Sequence, residues 1–244
     1  MKKFFLFFCL FYNLIFPVKS ENVQQIKIIH MNRIIERSPT IYSINPEIKN
    51  NGTLGSRMGI KDNNTTGKFT NQKFELIEKN IMVNESAKEI FERFRKNNYK
   101  FFIMNVSKND FVEILSSDLM EDAIVINASL KDNDIRNENC HKNVLHTAPS
   151  YRMATDALIQ FLKKKNWTKL LLISGVNKRD KQFANSIKIS SKRFGLKIIN
   201  EKEWNFTHDF RRTADLEIVK FTQGGKYEVV VLADEGNTFG DSGN

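Results

Sequence analysis

The apolar residues of this chain fall into short runs that alternate with amphipathic stretches. Runs rich in Ile, Leu and Val predict strands, and stretches in which apolar residues recur every three or four positions predict helices. The predicted strands are Gln25–Ile35, Phe74–Ile81, Tyr99–Val106, Ala123–Ala128, Asn143–Thr147, Lys169–Ser174, Leu196–Trp204 and Tyr227–Ala233. The predicted helices are Leu54–Asn64, Ser86–Asn97, Asp110–Leu119, Met153–Lys165 and Asp180–Phe194, and a loop is predicted over Ser38–Thr53. This alternation is typical of parallel sheets covered by helices on both faces, so we predict an α/β fold.

The predicted strands are too many for one small sheet. The dipeptide Pro149-Ser150 interrupts the series just before the helix predicted at Met153–Lys165. We therefore predict a first α/β lobe over residues 21–150 and a second over residues 151–244, with a ligand cleft between them.

The first twenty residues have the pattern of a secretory signal peptide. Lys2 and Lys3 precede an apolar run over Phe4–Phe16, and Val18-Lys19-Ser20 places small residues where a signal peptidase cleaves. The apolar run is shorter than the roughly 20 residues that span a bilayer, so an uncleaved membrane anchor is the less favoured alternative. We predict cleavage after Ser20 and export to the periplasm.

Composition and charge narrow the function classes further. The chain has 244 residues, of which 41% are hydrophobic and 27% charged, as in ordinary globular proteins. Its formal net charge is +10, and loss of the three lysines of the signal segment lowers it to +7. This modest excess does not favour a nucleic-acid partner. Cleavage also removes Cys9, so Cys140 has no partner for a disulfide in the mature chain.

The candidate catalytic and metal-binding residues do not form a recognised site. Cys140, His141 and His146 match no common zinc-finger spacing, and no metal or other cofactor is predicted. His208 and Asp209 resemble a base with its orienting carboxylate, yet no G-x-S-x-G nucleophile motif and no glycine-rich phosphate-binding motif accompanies them. The pattern predicts no enzymatic activity.

The segment Asp62–Gly67 looks like a calcium-binding loop only superficially. It lacks the acidic spacing and the final Glu of such a loop. A helix that ends at a Gly is the simpler interpretation, and we predict that Gly67 stops the first helix.

The loops that follow the predicted strands are the candidate binding site. Ligands of open parallel sheets bind beyond the carboxyl ends of the strands. The rule selects Val106–Lys108, Asn127–Ser129, His146–Ser150 and Ala233–Gly236.

Separated motifs along the chain resemble one family of transport proteins. They are Asp62–Gly67, Gln72–Leu76, Cys140 with Asn143–Ser150, Asp156–Leu158, Lys192–Gly195, Trp204 with Phe206, Asp209 with Arg211-Arg212, Phe221–Gln223 and Ala233–Glu235 with Phe239–Asp241. In this order they resemble the substrate-binding proteins of ABC transporters encoded beside pyrroloquinoline-quinone-dependent alcohol dehydrogenases. The family is similar to the branched-chain amino acid (leucine) binding proteins and has the type I periplasmic binding protein fold.

The resemblance implies roles for individual residues. In similar amino-acid receptors, first-lobe hydroxyl and backbone N–H groups hold the ligand carboxylate, and a second-lobe carboxylate meets the ammonium group. By position, Ser107, Asn127 and Ser129 are expected to perform the first task, and Asp234 and Glu235 the second. The gene association of the family implies, as an alternative, a ligand connected with alcohol oxidation.

The resemblance also implies partners and a missing part. Receptors of this family present their ligand to a membrane permease, and a quinoprotein dehydrogenase is a further expected partner. They also continue well past the position that corresponds to Asn244, so the second lobe is expected to be incomplete.

Three function classes follow. The leading hypothesis is a non-catalytic solute receptor with a ligand cleft. The alternative is an accessory or scaffold protein of the quinoprotein dehydrogenase system, which would require an exposed apolar patch and no cleft ligand. The third is a hydrolase, for which the sequence assembles no nucleophile and base.

Overall fold

The computed structural model describes residues 22–34, 52–204 and 220–235. Its strands are β1 (Gln24–Arg33), β2 (Gln72–Ile81), β3 (Phe101–Asn105), β4 (Ile124–Asn127), β5 (Val144–His146), β6 (Lys169–Gly175), β7 (Lys197–Trp204) and β8 (Val229–Ala233). Its helices are α1 (Thr53–Thr70), α2 (Ala87–Lys96), α3 (Lys108–Leu115), α4 (Tyr151–Lys164) and α5 (Lys178–Phe194). The signal-peptide prediction and the His208–Asp209 pair lie outside these residues, as does the predicted Ser38–Thr53 loop up to position 51.

The strands form two sheets. The first has the order β2-β1-β3-β4-β5 and the second the order β7-β6-β8. The strand β1 is parallel to β2 and β3, and β6 is parallel to β7 and β8. The predicted α/β class with parallel sheets flanked by helices is confirmed.

The chain divides into two compact units, Met1–Val125 and Ile126–Asn244, called unit 1 and unit 2 below. The predicted lobe boundary near residue 150 stays a prediction.

The core of unit 1 contains side chains of the strands β1 and β3 and of the helices α2 and α3. Alternate residues of β1 and β3 point to this core, because side chains of a strand alternate between its two faces. The rings of Phe91 on α2 and Phe102 on β3 are 4.7 Å apart. The fully buried members include Ile29, Met31, Phe91, Phe102, Met104, Phe111 and Ile114.

The core of unit 2 lies between the second sheet and the helices α4 and α5. Ile159 and Leu162 on α4 and Ile187 on α5 pack with Leu170 and Leu172 of β6. All four residues from Leu170 to Ile173 are buried, which agrees with the continuous apolar run expected of a central parallel strand.

The prediction that Gly67 ends the first helix is wrong. The helix α1 continues to Thr70 and is closed by Asn71, whose left-handed backbone places its N–H on the carbonyl oxygen of Gly67. Gly67 is required for a different reason: a Cβ atom there would overlap the carbonyl oxygen of Gln72. The glycine allows the helix to approach the start of β2 closely.

The helix predicted at Asp110–Leu119 is shorter in the structure. The helix α3 ends at Leu115, and Ser117 then caps a separate 3-10 turn over Asp118–Met120 by accepting a hydrogen bond from the Leu119 N–H. Serine side chains bond to nearby backbone groups and thereby favour caps over helix interiors. The predicted cap of α2 is present, since the Ser86 side chain accepts from the Glu89 N–H.

Candidate functional site

Ser107 lies at the carboxyl end of β3, where it caps α3. Its hydroxyl donates to Asp110 Oδ2 at 2.7 Å and accepts from the Asp110 N–H at 3.2 Å. Together with the bond from the Ser107 N–H to Asp110, these contacts form a capping box. The residue is exposed, so a ligand can reach it, but its hydroxyl already has a structural task.

Asp110 is held in turn by Arg33 at the end of β1. The guanidinium donates Nε to Oδ2 at 2.9 Å and a terminal nitrogen to Oδ1 at 2.5 Å. Burial alone would raise the pKa of Asp110, but the hydrogen bonds from Arg33 and Ser107 lower it overall. The end of β3 therefore carries an ionised, bidentate ion pair.

Asn127 is fully buried at the end of β4 and organises the loop that follows. Its Oδ1 accepts the N–H groups of Ser129 and Leu130 at 3.2 and 2.9 Å. Its Nδ2 donates to the Leu130 carbonyl at 2.8 Å and to His146 Nδ1 at 3.0 Å. These bonds use both donors and both lone pairs of the amide. Direct contact between Asn127 and a ligand stays a prediction, while its positioning of Ser129 is evident.

Ser129 is half-buried, and its hydroxyl makes no hydrogen bond within the described part of the chain. Its backbone is fixed by Asn127, as described above. Of the three hydroxyl or amide residues predicted to hold a ligand carboxylate, Ser129 is the one whose backbone is fixed and whose side chain is available.

Arg136 closes the segment between β4 and α4. Its guanidinium donates to the carbonyl oxygens of Asp132, Leu130 and Ala148 at 2.8, 3.0 and 2.7 Å. Burial lowers the pKa of Arg136, and the charge of Asp132 opposes that effect. One side chain thus ties the loop after β4 to the residues that lead into α4.

Glu235 follows β8 and is already engaged. Both carboxylate oxygens lie 3.1 Å from the Lys131 ammonium. The Glu235 N–H donates to Asp180 Oδ1 at 2.7 Å, which fixes the loop after β8 on the first turn of α5. Asp234, one residue earlier, is half-buried and has interactions within the fold.

Tyr151 begins α4 and lies among charged groups. It is 4% exposed, and its ring centroid is 5.9 Å from that of Phe183 on α5. Burial and the negative charges of Glu235, Asp132 and Asp180 raise the pKa of Tyr151 to about 12, against a smaller opposing effect of Arg179. Its phenol is therefore neutral near pH 7.

The structure brings four of the five predicted site residues into unit 2. Asn127 and Ser129 share one loop, Asp234 and Glu235 share another, and Lys131 joins the two loops through its ion pair with Glu235. Ser107 belongs to unit 1. The roles of all five in ligand binding stay predictions.

Sequence reasoning missed Lys131, Tyr151 and Asp180. Tyr151 stands directly after Pro149-Ser150, and Asp180 stands at the third position of α5 behind the cap Asn177. Both residues lie at the start of a helix, and an analysis of the loops alone does not consider helix starts. Lys131 has no comparable signal, because its partner is 104 residues away.

The described residues contain no group of three or more His, Cys, Asp or Glu side chains arranged to hold a metal ion. Within the same residues, no helix has the length and apolar character needed to cross a membrane.

Solved structures with a similar fold include substrate-binding proteins. An ABC transporter substrate-binding protein from Desulfitobacterium hafniense matches with a TM-score of 0.65 and 12% identity over 90% of this chain and 61% of that chain. A structure described by the same name and source, in complex with Leu, matches with a TM-score of 0.64, 12% identity and the same coverage. An amino acid ABC transporter substrate-binding protein from Pseudomonas fluorescens Pf-5 matches with a TM-score of 0.58 and 12% identity over 86% of this chain and 53% of that chain.

At this level of identity the comparison establishes the fold and nothing finer. This chain spans 61% of the length of the Desulfitobacterium hafniense protein. No protein family model and no curated protein sequence matches it.

Proposed function

We propose that this protein is an exported solute receptor that binds a small organic molecule and delivers it to the permease of an ABC transporter. The observation that carries the proposal is the likeness of its fold to solved substrate-binding proteins. The receptor role requires ordered polar groups beyond the carboxyl ends of parallel strands and no catalytic constellation. The loops after β3, β4 and β8 supply such groups.

The proposed ligand carries a carboxylate, an ammonium group, or both. Within unit 2, the Ser129 hydroxyl would meet a carboxylate. Asp234 and Glu235 would meet an ammonium group. Charge-assisted hydrogen bonds of this kind are about twice as strong as neutral ones. One of the solved neighbours is a complex with Leu, which makes amino acids the first class to test.

A link to quinoprotein alcohol oxidation is the competing ligand class. It rests on the sequence resemblance, and it predicts binding of an alcohol, an aldehyde or the corresponding acid instead of an amine. Titration with amines, acids, alcohols and aldehydes, described next, separates the two ligand classes.

The first experiment is non-denaturing mass spectrometry of the full chain isolated from the exported fraction of its own cells. A retained small molecule would give its mass, and the protein mass would show whether cleavage follows Ser20. A chain that retains nothing is then titrated calorimetrically with leucine, butylammonium, isovalerate, butanol and butanal.

A receptor gains thermal stability from its ligand, by about 2.7 kcal/mol at a ligand concentration of one hundred times Kd. We expect one class of the panel to raise the midpoint of thermal unfolding. Ser129→Ala is expected to weaken carboxylate binding, while the exposed Ser116→Ala is the matched control. Absence of both a retained molecule and any response to the panel at millimolar concentration would overturn the proposal.

A further inference from the structure

The first residues of the three strands of the second sheet meet at one end of unit 2. The strands β6, β7 and β8 are parallel, so their amino ends lie side by side. The Lys197 N–H donates to the Thr168 carbonyl oxygen at 2.8 Å, and the Glu228 N–H donates to the Lys169 carbonyl oxygen at 2.9 Å. The helix α4 leads directly into β6 and α5 into β7, so the carboxyl ends of both helices lie at this end as well.

Positive charge is concentrated at this end of the sheet. Its exposed lysines come from the ends of α4 and α5 and from the starts of the strands, and they are Lys163, Lys164, Lys165, Lys169, Lys192, Lys197 and Lys226. None of these lysines forms an ion pair with a carboxylate of the described residues. The acid Glu228 lies there too, but its carboxylate accepts the N–H groups of Thr168 and Lys169.

The corresponding end of the first sheet has mixed charge. Lys96 at the end of α2 and Lys100 before β3 are exposed, but so are Glu121 and Asp122 before β4. The excess of lysine is therefore particular to unit 2. The helix dipole favours lysines at the ends of α4 and α5, yet it does not account for the lysines at the strand starts.

Two exposed aromatic side chains belong to the same surface. Phe161 in the last turn of α4 is 51% exposed, and Trp167 in the link to β6 is 41% exposed. The Lys165 ammonium lies 5.7 Å from the centre of the Phe161 ring. The Trp167 N–H donates to the Leu162 carbonyl oxygen at 3.0 Å, so an ordered turn carries the indole. Aromatic rings among lysines are typical of surfaces that lie at the boundary of a membrane.

We propose that these lysines, with Phe161 and Trp167, form a face of unit 2 that docks on an anionic membrane surface. The ammonium groups meet lipid phosphates, and the two rings enter the headgroup layer. The contact is peripheral, since no helix of the described residues can span a bilayer. The inference goes beyond the proposed receptor function and does not depend on it. The loop after β8 lies at the opposite end of the sheet and stays accessible.

The test measures co-sedimentation of the full chain with vesicles of phosphatidylglycerol and phosphatidylcholine in equal parts, and with vesicles of phosphatidylcholine alone. We expect binding to the anionic vesicles at low salt and its loss at about 0.5 M salt, because salt screens exposed charges. The apolar residues 4–16, if retained, add the same lipid binding to every variant. The readout is therefore the difference between variants.

Lys164→Gln combined with Lys197→Gln removes two charges from the docking face. Each lysine near an anionic surface contributes about 1 kcal/mol, or about fivefold in partition, so this variant should bind the anionic vesicles about 25-fold more weakly. The matched control is Lys96→Gln with Lys100→Gln, which also removes the last residue of a helix and a lysine beside a strand start, but in unit 1. It should bind nearly as strongly as the wild type. Equal losses in the two double variants, or no loss in the first, would overturn the proposal.

A second measurement follows the indole itself. The chain has two tryptophans, so Trp204→Phe leaves Trp167 as the reporter. Its fluorescence should move to shorter wavelength with anionic vesicles and be quenched by brominated lipid, because the ring leaves water for the headgroup layer. An unchanged spectrum in the sedimented protein would overturn the proposal. Binding to polyglutamate without binding to either kind of vesicle would also overturn it, since the face would then fit an acidic protein.

Discussion

Asn127 donates one amide hydrogen to Nδ1 of His146 and thereby fixes the imidazole in the tautomer that is protonated on Nε2. The orientation of the amide is certain because its Oδ1 accepts two backbone N–H groups, which can only donate. Burial and the charge of Arg136 lower the pKa of His146, although a backbone hydrogen bond with Ile135 opposes them. A neutral histidine therefore supports the loop that presents Ser129.

Replacement of Asn127 by Ala should make the loop after β4 less ordered. The change leaves the Ser129 and Leu130 N–H groups without their acceptor, and we expect a loss of about 1–3 kcal/mol in the free energy of unfolding. Amide hydrogen exchange should show lost protection at Ser129 and Leu130, and the ¹⁵N shifts of His146 should show mixed tautomers. Asn84→Ala, at an exposed position, is the control. Unchanged protection in Asn127→Ala would contradict the role assigned to this side chain.

Gly67 and Gly59 of α1 should respond to alanine in opposite directions. A methyl group at Gly67 would collide with the backbone at Gln72, and overpacking of this kind costs about 1–3 kcal/mol. A methyl group at Gly59 meets nothing within 4 Å, so the better helix propensity of Ala should stabilise the helix by about 0.5–1 kcal/mol. Urea unfolding monitored by circular dichroism measures both. Equal effects of the two substitutions would show that the close approach at Gly67 is not required.

The ion pair of Arg33 and Asp110 should contribute far more to the free energy of unfolding than the ion pair of Arg57 and Glu78. The first is largely enclosed and includes the cap of α3, so Asp110→Asn should cost about 2 kcal/mol. The second is bidentate as well, but it lies on the surface, and Glu78→Gln should change stability little. Urea unfolding at 0.05 and 0.5 M salt compares them, since salt screens exposed pairs preferentially. A larger loss from Glu78→Gln would be inconsistent with this ranking.

His30 should make unit 1 less stable in mild acid. The residue is 1% exposed, its Nδ1 lies 2.7 Å from the Ser56 hydroxyl, and its Nε2 has no hydrogen-bond partner among the described residues. Burial lowers the pKa of His30, while the charge of Glu78 opposes that effect. Glu78 is the registered neighbour on β2 and is itself paired with Arg57 of α1, and Ile103 faces His30 from β3.

Because the folded state disfavours the proton on His30, the unfolded chain binds more protons once the pH falls below about 6.5. The free energy of unfolding should therefore decrease as the pH falls from 6.5 toward the lower folded-state pKa. His30→Gln should flatten this slope, and a further flattening should follow from His146→Gln, whose pKa is also lowered. Urea unfolding at a series of pH values measures the slope. An unchanged slope in His30→Gln would refute the assignment.

The sequence was sufficient to predict the strands, because the signal for a buried parallel strand is local. Leu170–Ile173 is apolar at every position, and each of these side chains is buried. The end of α5 was also predictable, since Gly195 has the left-handed backbone that glycine adopts most easily. Position 67 is also a glycine, but for a different reason. Its close contact with Gln72 leaves no room for a Cβ atom, and only the packed structure shows this contact.

The loops of the candidate site can be selected from the sequence, but their contacts cannot. The rule for parallel sheets points to the loops after the predicted strands, which contain Ser129 and Glu235, and ligand binding there stays a prediction. The pairing of Glu235 with Lys131 depends on how two loops far apart in the sequence meet, and no local pattern encodes it. The engagement of Asn127 was hidden for the same reason, because an Asn after a strand has the same local sequence whether its amide contacts a ligand or its own loop.

The Arg136 guanidinium fastens the segment from Leu130 to Ala148 without a covalent bond. Small exported domains often secure such segments with disulfides, whose integrity depends on the redox state of the compartment. Cys140 lies within this segment and is a free, exposed thiol. The hydrogen bonds that hold this segment therefore do not depend on oxidants or reductants. They form as soon as the backbone carbonyls reach the guanidinium.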